Sequence, residues 1–374
     1  MMNYNTVYIG MDVHKESFTL CSYQIGDETA SHIQKIPSDH KIVLKYLDRL
    51  RSFYGKNVEF SCGYEAGCLG YSLYHQLTDH NVNCTILAPT SIPKDTGKRK
   101  KKTDKNDAVG IAKSLAYRTY SEVYVPTEKD EQVKEFLRMR DDHKIALKKV
   151  KQQILSFCLR HNYVYSSTKN NWTQAHVQWL RALRPGGIYQ EILEEYIATF
   201  DALTEKITRL DRRIEELALE EEYRDKVKRL ICFKGIQTYT ALALIVETGD
   251  FRRFASAQKY ASYLGLVPGE HSSGEDQTRL GITKAGNKHL RTLLVESAQC
   301  FNRGQTAKKS KNLHARQCGN PPKVIAYADK ANERLRRRYV RMTLAKNKKS
   351  NVAKTAIARE LACFIWGMMT DHIA

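Results

Sequence analysis

The sequence predicts an α/β domain at its N-terminus followed by a long, mainly helical region, on three observations. Over the first 125 residues, short β-rich runs alternate with amphipathic stretches. From Glu128 glycine disappears for more than fifty residues while apolar positions settle into steps of three and four. Beyond Arg229, short helical patterns punctuated by glycine become increasingly basic. At 374 residues the chain can build two or three domains with cores of their own. The reading divides it at 1–125, 126–225 and 226–374.

In the first domain, Thr6 to Val13 reads as a buried strand and Ser17 to Gln24 as its hairpin partner. Ser38 is placed as the cap of a helix carrying Ile42, Tyr46, Leu47 and Leu50 on one side, after which Val58 to Tyr64 returns as a strand. Gly70 to His80 reads as a helix, Cys84 to Leu87 as a strand and Asp107 to Tyr120 as a helix. Strands followed by alternating helix and strand suit an RNase H-like sheet. In the middle segment one apolar ladder runs through Val133, Phe136, Leu147, Val150, Ile154 and Phe157, interrupted by Arg140 and His143. A cleaner one runs from Leu193 through Tyr196, Phe200, Leu203, Ile207, Leu210 and Ile214 to Leu217. Two long helices in a coiled-coil-like hairpin are expected, their connection packed around Trp172 and Trp179. Packing within the chain accounts for such ladders; self-association is the sharper alternative. In the last domain, Leu230 to Ile236 leads to a turn at Gly235, a helix from Thr238 to Glu247 and another from Phe254 to Leu264. This resembles a helix-hairpin-helix, with Gln237 where a second glycine is usual.

Lys and Arg number 61 against 41 Asp and Glu, a formal charge of +20 that favours nucleic acid over acidic small molecules as a partner. Residues 301–374 alone hold 17 Lys and Arg against four acids. The nine cysteines show neither a CxxC pair nor zinc spacing, and read as free thiols of a reducing cytoplasm. The N-terminus lacks a basic segment followed by an apolar stretch, and no apolar run is long enough for a bilayer; LACFIWGMM reads as core. A cytoplasmic, nucleoid-associated protein of a prokaryote is expected, with no membrane partner.

Four acids stand out. Asp12 ends the apolar strand YIGMD, where burying a carboxylate is costly unless charge or metal compensates it. Glu65 follows the strand ending at Tyr64. Asp104 and Asp107, three apart at a helix start, project from one face. Capping by Asp104 and dipole compensation by Asp107 explain the same residues, and both can coexist with metal ligation. Such a carboxylate set suits two-metal phosphodiester chemistry, in which paired Mg²⁺ ions activate the attacking oxygen and stabilise the leaving one. Lys98, Arg99, Lys100, Lys101 and Lys102 immediately precede the acidic pair. A solvated loop or an import signal is one reading; steering of a nucleic-acid backbone toward the metals is the other.

With YIGMDVHKE, YEAG, KTDKNDA, GLVPGEHSSG and ITKAGNKHLR in this order, the chain resembles, over essentially its whole length, the DEDD-type insertion-sequence transposases related to pilin-gene invertases, which act as bridge-RNA-guided serine recombinases. The resemblance implies a RuvC-like domain holding Mg²⁺ through Asp12, Glu65, Asp104 and Asp107. It also implies that Ser273, in HSSG, attacks DNA and holds it as a phosphoserine, conserving the energy of the cleaved bond for rejoining. In the family's proposed mechanism the carboxylates and their Mg²⁺ act on that serine in a composite site. A guide RNA, DNA at element ends and target, and a homo-oligomer are the implied partners. Two departures are present: Ala66, Gly67 and Cys68 follow Glu65 where the family has a Thr-Gly-Tyr-like stretch, and Ser272 adjoins Ser273, leaving the register open by one residue. By themselves, the two serines and the glycine suggest a turn without chemistry.

Downstream, Lys284, Lys288 and Arg291, with Arg279 and His289, flank Gly286 as candidate phosphate contacts or as a solvated helix face. Arg334, Arg336, Arg337 and Arg338, near Tyr327 and Tyr339, suit folded RNA as well as duplex DNA. Two rival functions stand beside recombination: a Mg²⁺-dependent Holliday-junction resolvase-like nuclease in which Ser273 is structural, and a non-catalytic nucleic-acid-binding protein.

Overall fold

In the computed structural model, residues 6–67, 69–89, 92, 103–166, 170–273, 276–303 and 309–373 are described, with the side chains of 270–280 outside that description. The chain divides into two compact units, Met1–Val125 and Pro126–Ala374.

The first unit is built on β1 (Thr6–Val13), whose alternating side chains serve two faces of one sheet. β2 (Ser17–Tyr23) and β3 (Ser31–Pro37) continue from it as an antiparallel meander. β4 (Glu59–Glu65) and β5 (Asn83–Leu87) add in parallel on its other side, giving the order β3-β2-β1-β4-β5. This mixed sheet is compatible with an RNase H-like fold. Val7, Ile9 and Met11 of β1 pack on α1 (His40–Tyr54) and α2 (Ser72–Asp79), through Tyr46, Leu47, Leu50, Leu73 and Leu77. The opposite face, with Tyr8 and Gly10, receives α3 (Asp104–Tyr117). The edge strand β3 has no counterpart in the sequence reading, because SHIQKIP is mostly half-exposed and carries little apolar alternation.

Several helix ends differ from expectation. Asp39, not Ser38, caps α1 by accepting from the Lys41 amide at 2.8 Å, while Ser38 Oγ donates to the Lys15 carbonyl. α2 is shorter than Gly70 to His80 at both ends. α3 begins three residues before Asp107 and ends at Tyr117, with Arg118 in the left-handed conformation. Its cap is Thr103, which accepts from the Asn106 amide, so the Asp104 carboxylate is not used as the cap.

The second unit is mainly helical. α4 (Glu128–Arg160) and α6 (Gly187–Ala218) pair as two long helices, joined through α5 (Gln174–Ala182). At one end Val150, Ile154 and Phe157 pack with Leu193, Tyr196, Phe200, Trp172 and Trp179. At the other, Val133, Leu137, Ile214 and Leu217 belong to the main core of the unit. Between these clusters Arg140 makes a two-pronged contact with Asp211, at 2.8 and 3.1 Å, and lies 4.7 Å from the Tyr239 ring centroid. That ion pair is the reason the first ladder is broken there.

α7 (Glu221–Leu230), the Gly235 turn and α8 (Thr238–Thr248) follow. The helix expected over Phe254 to Leu264 is instead a 3₁₀ turn at Phe251–Arg253 followed by α9 (Ala257–Tyr263), capped by Ser256. A two-stranded hairpin then interrupts the helices, β6 (Pro268–Ser273) and β7 (Asp276–Ile282). α10 (Lys288–Ala298), α11 (Lys311–Gln317), α12 (Pro322–Val340) and α13 (Ser350–Met369) complete the unit. LACFIWGMM lies within α13, with Leu361, Ala362, Ile365 and Met368 fully buried. Among the described residues no helix is long and apolar enough to cross a membrane.

Candidate metal centre and the hairpin region

Tyr8, Gly10 and Asp12 lie on one face of β1 by the two-residue period of a strand. Gly10 allows α3 to lie against that face: a Cβ there would sit 2.0 Å from the Ala108 carbonyl oxygen and 2.6 Å from the Ala112 nitrogen. Asp12 lies two residues beyond this crossing, a rise of about 6.5 Å. Asp104 lies four residues before Ala108, about 6 Å along the helix. The close approach at Gly10 therefore carries both acids to the same edge of the sheet.

There Asp12, His14 and Asp104 present ligand atoms all within 4.8 Å of one another, the one such trio among the described residues. His14 Nε2 is 3.1 Å from Asp12 Oδ2, and Lys35 Nζ donates to Asp104 Oδ2 at 3.1 Å. Burial holds the Asp12 carboxyl above its ordinary value; His14 offsets part of this, and the charges of Asp107 and Asp104 add to it. Asp104 is held below its ordinary value by the hydrogen bond and charge of Lys35. Two carboxylates, one of them partly desolvated, beside an imidazole form a donor set that fits a divalent cation.

The structure thus joins two of the four sequence-predicted acids. Glu65 is the exposed last residue of β4, the strand beside β1, and Asp107 lies in the first turn of α3; neither belongs to the trio. His14 and Lys35 were missed. His14 stands two residues after Asp12, just past the end of β1, and that short spacing is a signal present in the sequence, whereas nothing local ties Lys35 to Asp104. Lys98, Arg99, Lys100, Lys101 and Lys102 lie outside the described residues.

Ser273 is the last residue of β6, paired through its Cα with Asp276, and Ser272 pairs with Gln277; their side chains lie outside the described residues. The base of this hairpin is closed by backbone bonds from Thr283 to the Val267 carbonyl, Lys284 to Gly265 and Asn287 to Tyr263. Gly286, at φ 94°, permits the approach: a Cβ there would sit 1.9 Å from the Tyr263 oxygen.

Beside Asn287 lies a partly buried ionic network centred on Glu247. Glu247, at the end of α8, accepts from Asn287 Nδ2 at 2.7 Å and from His289 Nδ1 at 2.6 Å, with Arg138 Nε at 3.4 Å. His289 Nε2 meets Asp141 Oδ2 at 2.9 Å, and Tyr239 donates to the same oxygen at 2.6 Å. With a carboxylate at each nitrogen, His289 is an imidazolium. Burial opposes that charge, but the two carboxylates raise its pKa to about 9. Burial likewise opposes ionisation of Glu247, and His289, Asn287 and Arg138 bring it down to about 2. Sequence reading listed His289 only as a phosphate candidate and missed Glu247 and Asp141.

Of the basic candidates, Lys284 and Lys288 are exposed. Arg291 donates to the Leu264 carbonyl. Arg334 and Arg338 both bind Glu360, Arg337 binds Glu333, and Arg336 donates to the Phe301 carbonyl. The arginine run is thus engaged within the fold, although Arg334 and Arg337 keep 67% and 71% of their side chains exposed.

A family model described as a transposase, of the DEDD type of IS110, matches residues 9–162, and a second, described as transposase IS116/IS110/IS902 family, matches residues 227–315. The transposase for insertion sequence element IS1533 of Leptospira borgpetersenii is 32% identical over 341 residues, covering 89% of this chain and 95% of that protein. The putative transposase y4qE of Sinorhizobium fredii is 36% identical over 308 residues, 82% and 75% of the two chains. The pilin gene-inverting protein of Moraxella bovis is 26% identical over 307 residues, 80% and 84%. Transposases of the DEDD type act on DNA and typically use divalent metal. The matching family models and these relatives place the chain in the IS116/IS110/IS902 family of transposases.

Proposed function

We propose that this transposase cleaves and rejoins DNA strands at the ends of an insertion element and at its target, working as a homo-oligomer guided by a structured RNA. The observation that carries the reading is the meeting of Asp12 and Asp104 at one sheet edge, with Glu65 and Asp107 on the adjoining strand and helix turn. These four acids would hold Mg²⁺, which supplies Lewis-acid stabilisation of charge on phosphate oxygens. Lys35 and the basic residues that remain exposed orient the backbone of the nucleic acid. Ser273 is the nucleophile: its Oγ bonds to phosphorus as the bond to the leaving strand's oxygen breaks, and that oxygen takes up a proton. A hydroxyl of a second strand then attacks the phosphoserine and regenerates Ser273, so no bond energy is lost to water. More than one subunit is needed because recombination breaks several strands, and a dimer or tetramer meets that need.

The test is denaturing electrophoresis after incubation with end-labelled element DNA, guide RNA and Mg²⁺. Label is expected to stay on the wild-type chain and to leave it in Ser273→Ala, while Asp12→Asn abolishes cleavage. Hydrolysis that persists in Ser273→Ala without any protein-bound label sinks the covalent step in favour of a resolvase-like nuclease. Cleavage unaffected by Asp12→Asn sinks the metal assignment.

A further inference from the structure

We infer that His14 is a nitrogen ligand of the divalent ion, making this centre a mixed imidazole–carboxylate site that binds Mn²⁺ in preference to Mg²⁺. The inference rests on the reading of Asp12 and Asp104 as metal-holding residues. Asp12 lies in β1 and His14 one residue past its end; the His14 amide bonds to the Ser17 carbonyl to fix the turn, and the two side chains meet at 3.1 Å. The 3.1 Å between Asp12 Oδ2 and His14 Nε2 is a hydrogen-bond distance. It is also the separation of two adjacent ligands on an octahedral ion, since bonds of about 2.2 Å at right angles span about 3.1 Å. The heavy atoms can therefore receive an ion with little movement, while the imidazole changes tautomer: the hydrogen that Nε2 shares with Asp12 is given up to solvent, Nδ1 carries the ring proton, and the Nε2 lone pair is freed for the ion.

The charge balance points the same way. Asp12 has only 15% of its side chain exposed and meets His14, whereas Asp104 is half-exposed and already paired with Lys35. A neutral imidazole adds a donor without adding negative charge to a site that already holds two carboxylates. Imidazole nitrogen suits Mn²⁺ and later transition ions better than Mg²⁺, which prefers oxygen and water. His14 thus sets which metal is held, and the surrounding acids set how tightly.

The experiment uses the full-length chain with MnCl₂ as probe, following free Mn²⁺ by electron paramagnetic resonance and recording nitrogen modulation of the bound ion by electron spin-echo spectroscopy. The wild type is expected to show nitrogen modulation. His14→Ala is expected to lose it and to bind Mn²⁺ at least about tenfold more weakly, the low end of what losing even a group hydrogen-bonded to a ligand costs. His14→Asp, which keeps a donor at the position, is expected to bind without nitrogen modulation and to narrow the preference for Mn²⁺ over Mg²⁺ in competition. Absent modulation in the wild type, or modulation that survives in His14→Ala, overturns the inference while leaving the carboxylate site standing, provided Asp12→Asn still abolishes binding. Mn²⁺ binding unchanged in Asp12→Asn overturns both together.

Discussion

Replacing His289 by alanine tests the partly buried network centred on Glu247. The substitution leaves Glu247, with 1% of its side chain exposed, with Asn287 and the more distant Arg138 as its remaining partners. The rise of the His289 pKa from 6.5 to about 9 corresponds to about 3 kcal/mol at 1.36 kcal/mol per unit. The fall of Glu247 from 4.5 to about 2 is largely the same interaction seen from its partner, so the two are not added. Breaking a buried pair on one side costs about 3–5 kcal/mol, which agrees with that figure. Because the folded pKa of His289 is the higher, its stabilisation is complete below pH 6.5 and is lost as the pH rises through about 9. Urea unfolding followed by tryptophan fluorescence reads this unit alone, since Trp172, Trp179 and Trp366 all belong to it. Between pH 7 and 9.5 the wild type should lose about 2–3 kcal/mol and His289→Ala far less. Equal pH dependence in the two proteins would refute the assignment of a charged His289.

Other perturbations address the remaining parts of the argument. Gly10→Ala must push α3 off β1, so it should cost about 3 kcal/mol or more in the first unit and weaken Mn²⁺ binding at a site it does not touch, both read by calorimetry. Lys35→Met removes the cation that competes with metal for Asp104, and a titration should show divalent affinity rising about threefold at neutral pH. In acid, Glu247 contributes stability that is whole above pH 4.5 and is lost as the pH falls through about 2, so Glu247→Gln should be destabilised at neutral pH and show a flatter acid limb in fluorescence-detected unfolding. Changing Lys98, Arg99, Lys100, Lys101 and Lys102 to glutamine should reduce the slope of log affinity for duplex DNA against log salt by up to about 4, measured by fluorescence anisotropy.

The candidate acids were legible because each sits at a punctuation point of local structure. Asp12 closes an apolar strand, and Asp104 and Asp107 open a helix; a two-residue or a 3.6-residue period is enough to say which side chains share a face. Thr103 as the true cap of α3 was less legible, since Thr and Asp both serve that role and only the amide geometry chooses between them. The β6–β7 hairpin escaped because its strands lack an alternating apolar pattern and its base is closed by backbone bonds between residues about twenty apart. The arginine run was read as a nucleic-acid surface because charge is visible in a sequence and its neutralisation is not; Glu360 reaches Arg334 and Arg338 from the next helix.

By itself the sequence determined the order of elements in the first unit apart from β3, the paired long helices of the second, the basic charge and which acids were candidates for phosphodiester chemistry, because all of these follow from local periodicity and side-chain type. Only the tertiary structure decided that Gly10 brings α3 close enough to join Asp104 to Asp12, that Lys35 shares that edge, and that Asp141, Glu247 and His289 form one partly buried ionic cluster. The physical reason is that close approach and desolvation depend on what the rest of the chain places opposite a residue, and no local pattern records that.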